Sequence, residues 1–256
     1  MNLLHKQEDT VKANKTHRIR SVRRELSQNL IVYHEPKSHA AEAFRALRTN
    51  IGFAGIDNEL KTIAVTSPEP SDGKSTTACN LAISLAQIDK KVLLIECDLR
   101  KPKIHHNFRI GNDVGLTHIL ADMILEDQSV ISYVKEVPEI ENLFILTAGF
   151  TPPNPVEILS SQKFKNFLDL LKKAFDIIVI DTPPVAQLAD AAVVSKVTDG
   201  VLLVIASGKT NVQAAIRAKQ ALLNINANIL GVVLTKIDKR SGRYYNYYNY
   251  TAYEDS

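Results

Sequence analysis

The chain has little of several features that would decide its class at once. Only two of its 256 residues are cysteine, Cys79 and Cys97, each in an apolar run with no CxxC and no Cys/His spacing of a zinc site. That excludes a disulfide framework or structural zinc and suits a reducing cytoplasm. No apolar run approaches the ~20 residues needed to span a bilayer; the longest, such as Val201 to Ala206, are strand-sized. The first residues carry no signal-peptide core, so neither export nor a membrane span is expected. Charge of one sign is scarce too. The 31 Lys and Arg against 28 Asp and Glu leave a net charge of +3, too little to point to nucleic acid. Apolar mass is plentiful: 45% of residues are hydrophobic and 23% charged, enough for a large domain that buries roughly 70–75% of its unfolded surface.

Charge is clustered nonetheless. Between Lys6 and Arg24 fall Lys12, Lys15, Arg18, Arg20 and Arg23, with Glu8 and Asp9 the only acids. With almost no aliphatic periodicity there, a basic flexible arm is expected over residues 1–30. From Lys61 on, short β-branched runs alternate with helical patterns, the signature of βαβ units and a parallel sheet with helices on both faces. The strands are expected at Thr62 to Thr66, Lys91 to Glu96, Leu143 to Thr147, Ile177 to Asp181, Gly200 to Ala206 and Ile229 to Thr235. All read as continuous buried runs. Helices are expected at Ser75 to Gln87, Gln162 to Ala174, Ala186 to Lys196 and Val212 to Asn224.

A helical extension precedes the sheet. Ala40, Ala43, Phe44, Leu47 and Ile51 recur at helical spacing as an apolar stripe. Glu42, Arg45 and Arg48 step by three residues along a separate charged stripe expected to look outward. Composition alone makes that stripe a solvated face with ordinary intrahelical pairs.

The strongest chemical signal is Ser67-Pro68-Glu69-Pro70-Ser71-Asp72-Gly73-Lys74-Ser75-Thr76, which follows an apolar strand and opens a helix. A tight turn at a helix mouth aims free N–H groups and the positive helix end at a polyphosphate, and a glycine lets the backbone come close. ATP is therefore expected on Ser71, Asp72, Gly73, Lys74, Ser75 and Thr76, with Lys74 on the β- and γ-phosphates and Ser75 on Mg²⁺. Pro68 stands where the standard GxxxxGK[ST] pattern has its first glycine. Carboxylates follow at two strand ends, Glu96 and Asp98 in one and Asp181 in the other. In open α/β sheets such residues converge on one ligand site, so Ser75, Asp98 and Asp181 are the expected metal contacts. Six of the eight tyrosines, Tyr244, Tyr245, Tyr247, Tyr248, Tyr250 and Tyr253, crowd a terminal stretch with almost no aliphatic residue. Residues 241–256 read as a flexible tail of accessible phenols rather than part of the domain at 31–240.

Those motifs resemble the bacterial tyrosine kinases that regulate capsule and exopolysaccharide synthesis, in the stand-alone form of Gram-positive bacteria. The resemblance runs from about Tyr33 to the C-terminus. It rests on the phosphate loop, on Leu94-Ile95-Glu96-Cys97-Asp98-Leu99-Arg100-Lys101-Pro102, on Asp181-Thr182-Pro183-Pro184 and on Ala148-Gly149-Phe150-Thr151-Pro152-Pro153-Asn154-Pro155. Glu42, Arg45 and Arg48 match the family's ExxRxxR motif, which implies packing of subunits into a ring. The resemblance implies phosphorylation of the six tail tyrosines by a neighbouring copy, other tyrosine substrates, a cognate phosphotyrosine phosphatase and no nucleic-acid partner. It also implies a cytoplasmic protein recruited to the membrane by an adaptor of the polysaccharide co-polymerase type. The family usually has Asp where this chain has Glu96.

The implied reaction is transfer of the ATP γ-phosphoryl group to tyrosine, with Lys74 neutralising charge, Asp181 on metal-bound water and Glu96 or Asp98 accepting the phenol proton. Arg100 and Lys101 either help hold phosphate or make surface salt bridges. His105 and His106 have no third ligand at usable spacing and are expected to be solvent-facing or partly packed. Three rivals share features, of which an iron–sulfur carrier ATPase would want a CxxC that the sequence does not contain. A partitioning ATPase switch would carry a signature lysine where Glu69 stands, and a scaffold would use the tyrosine tail only for docking.

Overall fold

The computed structural model describes residues 25–56, 59–121 and 132–238. Most of the basic arm and the six tail tyrosines lie outside these. Residues 25–30 of the expected arm are packed rather than loose: Leu26 and Leu30 are buried in the core.

The helical extension forms α1 (Ile31–His34) and α2 (His39–Ala54). The sheet region follows as β1 (Thr62–Thr66), α3 (Lys74–Ala86), β2 (Val92–Glu96), α4 (Ile104–Phe108), α5 (Leu116–Ala121), β3 (Lys135–Glu136), β4 (Leu143–Leu146), α6 (Pro155–Ser160), α7 (Gln162–Ala174), β5 (Ile177–Asp181), α8 (Ala189–Lys196), β6 (Gly200–Ala206), α9 (Val212–Asn224) and β7 (Ile229–Thr235). The sheet order is β3-β4-β2-β5-β1-β6-β7. Its ladders are parallel except at β3, a two-residue edge strand antiparallel to β4 that no sequence pattern announced.

Every residue of β1, β2 and β5 is buried, as expected where helices cover both faces. One face packs Ile63, Val65, Leu94 and Val179 against α1 to α4; the other packs Ala64, Leu93, Ile95 and Ile180 against α5 to α9. α7 illustrates the logic. Ser161 caps it by accepting the Phe164 N–H, and Phe164, Phe167, Leu168 and Leu171 then repeat on one side and are all buried. Each such burial contributes about 1.5–3 kcal/mol. Truncating Phe167 to alanine would cost about 3–5 kcal/mol and open a cavity.

Three expectations need correction. β7 is an edge strand whose Val232 and Leu234 are more than half exposed, so its apolar run did not signify burial on both faces. α8 starts three residues later than expected because the Pro184 carbonyl draws in the Gln187 and Leu188 N–H groups as a turn. In α2 the inward stripe is Ala41, Phe44, Leu47 and Ile51, with Ala40 and Ala43 exposed. Arg48 belongs to that inner side. Its Nη1 donates to the Ser84 carbonyl of α3 at 2.6 Å, and Ser84 Oγ donates to the Phe44 carbonyl at 3.4 Å. Only Glu42 and Arg45 form the expected outward pair, at 2.6 Å, with Arg45 also bound to the Pro36 carbonyl. Buried Asn80 of α3 fastens the extension: it accepts the Val32 N–H at 3.0 Å and donates to the Asn29 carbonyl at 2.8 Å.

Among the described residues no helix is long and apolar enough to cross a membrane.

Candidate active site

The carboxyl ends of β1, β2 and β5 lie side by side, with Glu96 registered opposite Asp181 and the Cys97 N–H donating to the Asp181 carbonyl at 2.8 Å. The phosphate loop leaves β1 at this edge. Gly73 sits at φ +104°, in the left-handed region open mainly to glycine. A Cβ there would meet Thr235 at 3.3 Å. Ser71 also has positive φ and is exposed, as is Thr76 on the first turn of α3.

Asp72 turns out to be a brace. Its carboxylate accepts the Glu69 N–H and the Thr210 hydroxyl, both at 2.8 Å. Its carbonyl takes the Thr235 hydroxyl at 2.5 Å, and Lys236 donates to the Ser71 carbonyl. Glu69, where the partitioning rival needs a lysine, accepts the Asn211 N–H at 3.3 Å. These braces fix the loop's shape before any phosphate arrives, which lowers the ordering cost of binding.

Lys74 reaches from the loop to both strand-end acids. Its Nζ lies 2.8 Å from Asp98 Oδ2, 3.7 Å from Asp181 Oδ1 and 3.2 Å from Ser75 Oγ. Burial works against its charge, but Asp181, Asp98 and more weakly Glu96 outweigh it and hold the ammonium above its ordinary pKa. Asp98 is steadied from the other side, its Oδ1 accepting the Lys101 N–H at 3.1 Å. Asp181 is different. It is fully buried and neither carboxylate oxygen has a hydrogen-bond partner. Burial pushes its pKa up to about 7, although Lys74 pulls it down, Glu96 and Asp98 push it up and the Ser75 hydroxyl pulls it down. An orphaned buried carboxylate beside a serine hydroxyl is costly unless a cation completes it. The donor set of Ser75, Asp98 and Asp181 is all oxygen, which fits Mg²⁺. Among the described residues no group of three His, Cys, Asp or Glu is placed to hold a metal alone, consistent with an ion that shares its coordination with water and phosphate.

Glu96 does not face this cluster as a free base. Its Oε1 accepts the N–H groups of Lys103 and Ile104, the latter at 2.9 Å, so it caps the segment that opens α4. Its Oε2 lies 3.6 Å from His105 Nδ1 without a hydrogen bond. His105 is half-buried and His106 exposed, as expected. Arg100 is no loose surface cation: its Nε sits 3.3 Å from the buried Asp190 of α8. Lys101 is exposed. Burial pushes the thiols of Cys79 and Cys97 well up, which leaves both inert.

Sequence reasoning found the loop, Lys74 and all three acids. It missed Thr210, Asn211, Thr235 and Asp190, since single polar residues far along the chain carry no motif.

The chain matches the AAA domain family over residues 60–229. It is 43% identical over 225 residues to the tyrosine-protein kinase YwqD of Bacillus subtilis, covering 87% of this chain and 92% of that one. Among solved structures it matches the chimerical protein CapA2B2 with a TM-score of 0.78 at 38% identity, over 83% of this chain and 92% of that one. The kinase domain of the Escherichia coli tyrosine kinase ETK aligns with a TM-score of 0.79 at 30% identity, over 89% of this chain and 87% of that one. With its phosphate loop and strand-end acids on a mostly parallel sheet, the chain belongs to the AAA domain family and, within it, to the bacterial tyrosine-protein kinases.

Proposed function

We propose that the site binds Mg-ATP and passes its γ-phosphoryl group to tyrosines of the terminal cluster of another copy. The observation that supports this most is the buried Lys74 ammonium held between Asp98 and Asp181 at the mouth of α3. In the absence of nucleotide that ammonium pairs closely with Asp98 and only partly compensates Asp181. With ATP bound, the same group would serve the β- and γ-phosphate oxygens, while N–H groups of the loop from Gly73 to Thr76 would bind the remainder. Ser71 and the Asp72-braced turn shape that cradle. Ser75, Asp98 and Asp181 would hold Mg²⁺, which supplies countercharge as the β–γ bridge breaks. Asp98 is the better candidate to accept the phenol proton, because its carboxylate lies in the Lys74 cluster, whereas Glu96 is turned to two backbone N–H groups of the α4 segment. A carboxylate within reach of the phenol oxygen can take the proton as the new P–O bond forms, although a phenol's ordinary pKa is near 10.

The domain at 31–240 would then act on the tail at 241–256, tethered acceptors being present at high effective concentration. Capsule or exopolysaccharide control, recruitment to the membrane by an adaptor, a ring of copies touching through the α2 motif, and reversal by a phosphatase complete this reading. Within that motif Glu42 and Arg45 are the outward members. Several phosphates, each adding about −1.5 to −2 charges, would drive copies apart.

Labelled ATP and Mg²⁺ test the reading, using the parent, Lys74→Met, and a tail with Tyr244, Tyr245, Tyr247, Tyr248, Tyr250 and Tyr253 changed to Phe. The expected label lies on the parent tail alone. Phosphate release without tail labelling would favour the ATPase switch, and neither signal would favour the docking scaffold.

A further inference from the structure

The segment leaving β4 is pinned more firmly than a surface loop requires. Gly149 has φ +84°, and a Cβ there would fall 2.5 Å from Thr117 Oγ1. The Asn112 side-chain amide brackets the same residue, accepting the Gly149 N–H at 2.9 Å and donating to its carbonyl at 3.0 Å. Just before it, the Ala148 carbonyl accepts both the N–H and the hydroxyl of Thr117, at 2.9 and 3.0 Å. The next side chain, Phe150, is nonetheless 45% exposed. Its ring meets His118 edge to face, with centroids 4.9 Å apart at 85°. His118 is itself oriented, its Nδ1 accepting the Gly115 N–H at 3.3 Å. The face of the ring left in water gains nothing for folding. Phe53 is also exposed, but it lies in the last turn of α2 without any such clamp.

Location gives the aromatic pair a use. β4 is the neighbour of β2, with Ile95 opposite Leu146, so the loop carrying Phe150 leaves the sheet one strand from the stretch carrying Asp98. The acceptor cluster has a matching pattern. Tyr244, Tyr247, Tyr250 and Tyr253 recur every three residues, and Tyr245 and Tyr248 repeat the interval. Every tyrosine of the cluster thus has another exactly three positions away on at least one side.

We propose that Phe150 and His118 form an aromatic subsite for a second ring of the acceptor segment, the tyrosine three residues from the one being phosphorylated, on the tail of another copy. This rests on the kinase reading above and adds its substrate preference. Offset or edge-to-face contact with the phenyl ring holds the neighbouring phenol while the acceptor hydroxyl lies by Asp98.

The test uses full-length Lys74→Met chains as acceptors, with Tyr247 the sole tail tyrosine. One acceptor carries Tyr244→Phe and Tyr250→Phe, the other Tyr244→Ser and Tyr250→Ser, with Tyr245, Tyr248 and Tyr253 changed to Ser in both. Initial rates of labelling are read by intact mass, with the parent, Phe150→Ala and Phe150→Tyr as kinases. With the parent, the Phe-flanked acceptor is expected to show a roughly fivefold to tenfold lower KM than the Ser-flanked one, the difference falling on KM rather than kcat. Phe150→Ala should erase that difference and Phe150→Tyr restore it. Equal KM values with the parent, or a Phe150→Ala defect of the same size on both acceptors, would overturn the subsite. No labelling of either acceptor by the parent would instead overturn the underlying assignment of the tail as substrate, and the subsite with it.

Discussion

Asp199 and Asp181 stand at opposite ends of the same sheet and are treated in opposite ways. Asp199 lies at the amino ends of β1 and β6. Its carboxylate accepts the Lys61 N–H at 3.0 Å, the Thr62 N–H and hydroxyl at 2.8 Å, and Lys172 Nζ at 3.0 Å. Partial burial pushes its pKa up, but bonds from Lys172 and Thr62 outweigh that and leave it below the ordinary carboxylate value. The Asp181 carboxylate, at the carboxyl end of β5, lacks any such set of donors, and burial pushes its pKa up to about 7. One end of the sheet satisfies its charge and gains stability. The other keeps charge unsatisfied in a buried place, which is where a ligand can supply the missing interactions.

Removing the cation that partly compensates this unsatisfied end should have the largest effect. Lys74→Met is expected to lower tyrosine phosphorylation on the order of a thousandfold, since charge on the transferring group then has no fixed ammonium. Asp181→Asn should cost on the order of a hundredfold in rate and yet raise the melting temperature of the nucleotide-free chain at pH 8. The sign follows from the raised pKa. The folded state binds the Asp181 proton more tightly than the unfolded one, so the parent loses stability as pH rises from about 4 to about 7. Asparagine does not ionise, so its advantage should be full at pH 8 and shrink towards pH 5. A variant melting lower than the parent at pH 8 would show that Asp181 is not strained in the fold.

Much of this contrast could be read before the fold was known. Ile177 to Ile180 announces a buried strand ending in an acid, and the Gly73-Lys74-Ser75 step announces the phosphate loop even with Pro68 in the first glycine's place. The satisfied end was not legible. Asp199 is bonded across 137 residues to Thr62, and the loop brace runs 163 residues from Thr235 to Asp72, distances over which no local pattern operates. Arg48 shows a different limit. A helical wheel places it with Glu42 and Arg45, but a long side chain can swing to an acceptor on the next helix, and the Ser84 carbonyl supplied one.

At the satisfied end, Asp199→Asn should leave catalysis intact and cost about 2 kcal/mol of stability, the worth of bonds to a charged acceptor. For a chain of this size that is a fall of roughly 5 °C in melting temperature. The depressed pKa sets the window: the Asp199 contribution is present above about pH 4 and is lost as pH falls through the folded value. Urea midpoints of parent and variant should therefore differ at pH 7 and converge on acidification.

Glu96 lies between the two ends in character, a buried acid beside the site whose bonds are those of a cap. If it acts as a cap, Glu96→Gln keeps an acceptor oxygen for the Lys103 and Ile104 N–H groups, and the phosphorylation rate should change by less than about threefold, a loss well short of the ~10²-fold and larger contribution of a general base. Glu96→Asp is the harsher change, because a carboxylate one methylene shorter cannot reach both N–H groups. It should cost about 1 kcal/mol, the usual worth of a lost cap, seen as a lower melting temperature with the rate largely kept. A hundredfold loss of rate in Glu96→Gln with an unchanged melting temperature would reverse the assignment, moving proton transfer from Asp98 to Glu96 and making the contacts to the α4 segment a resting position that the side chain leaves when substrate binds.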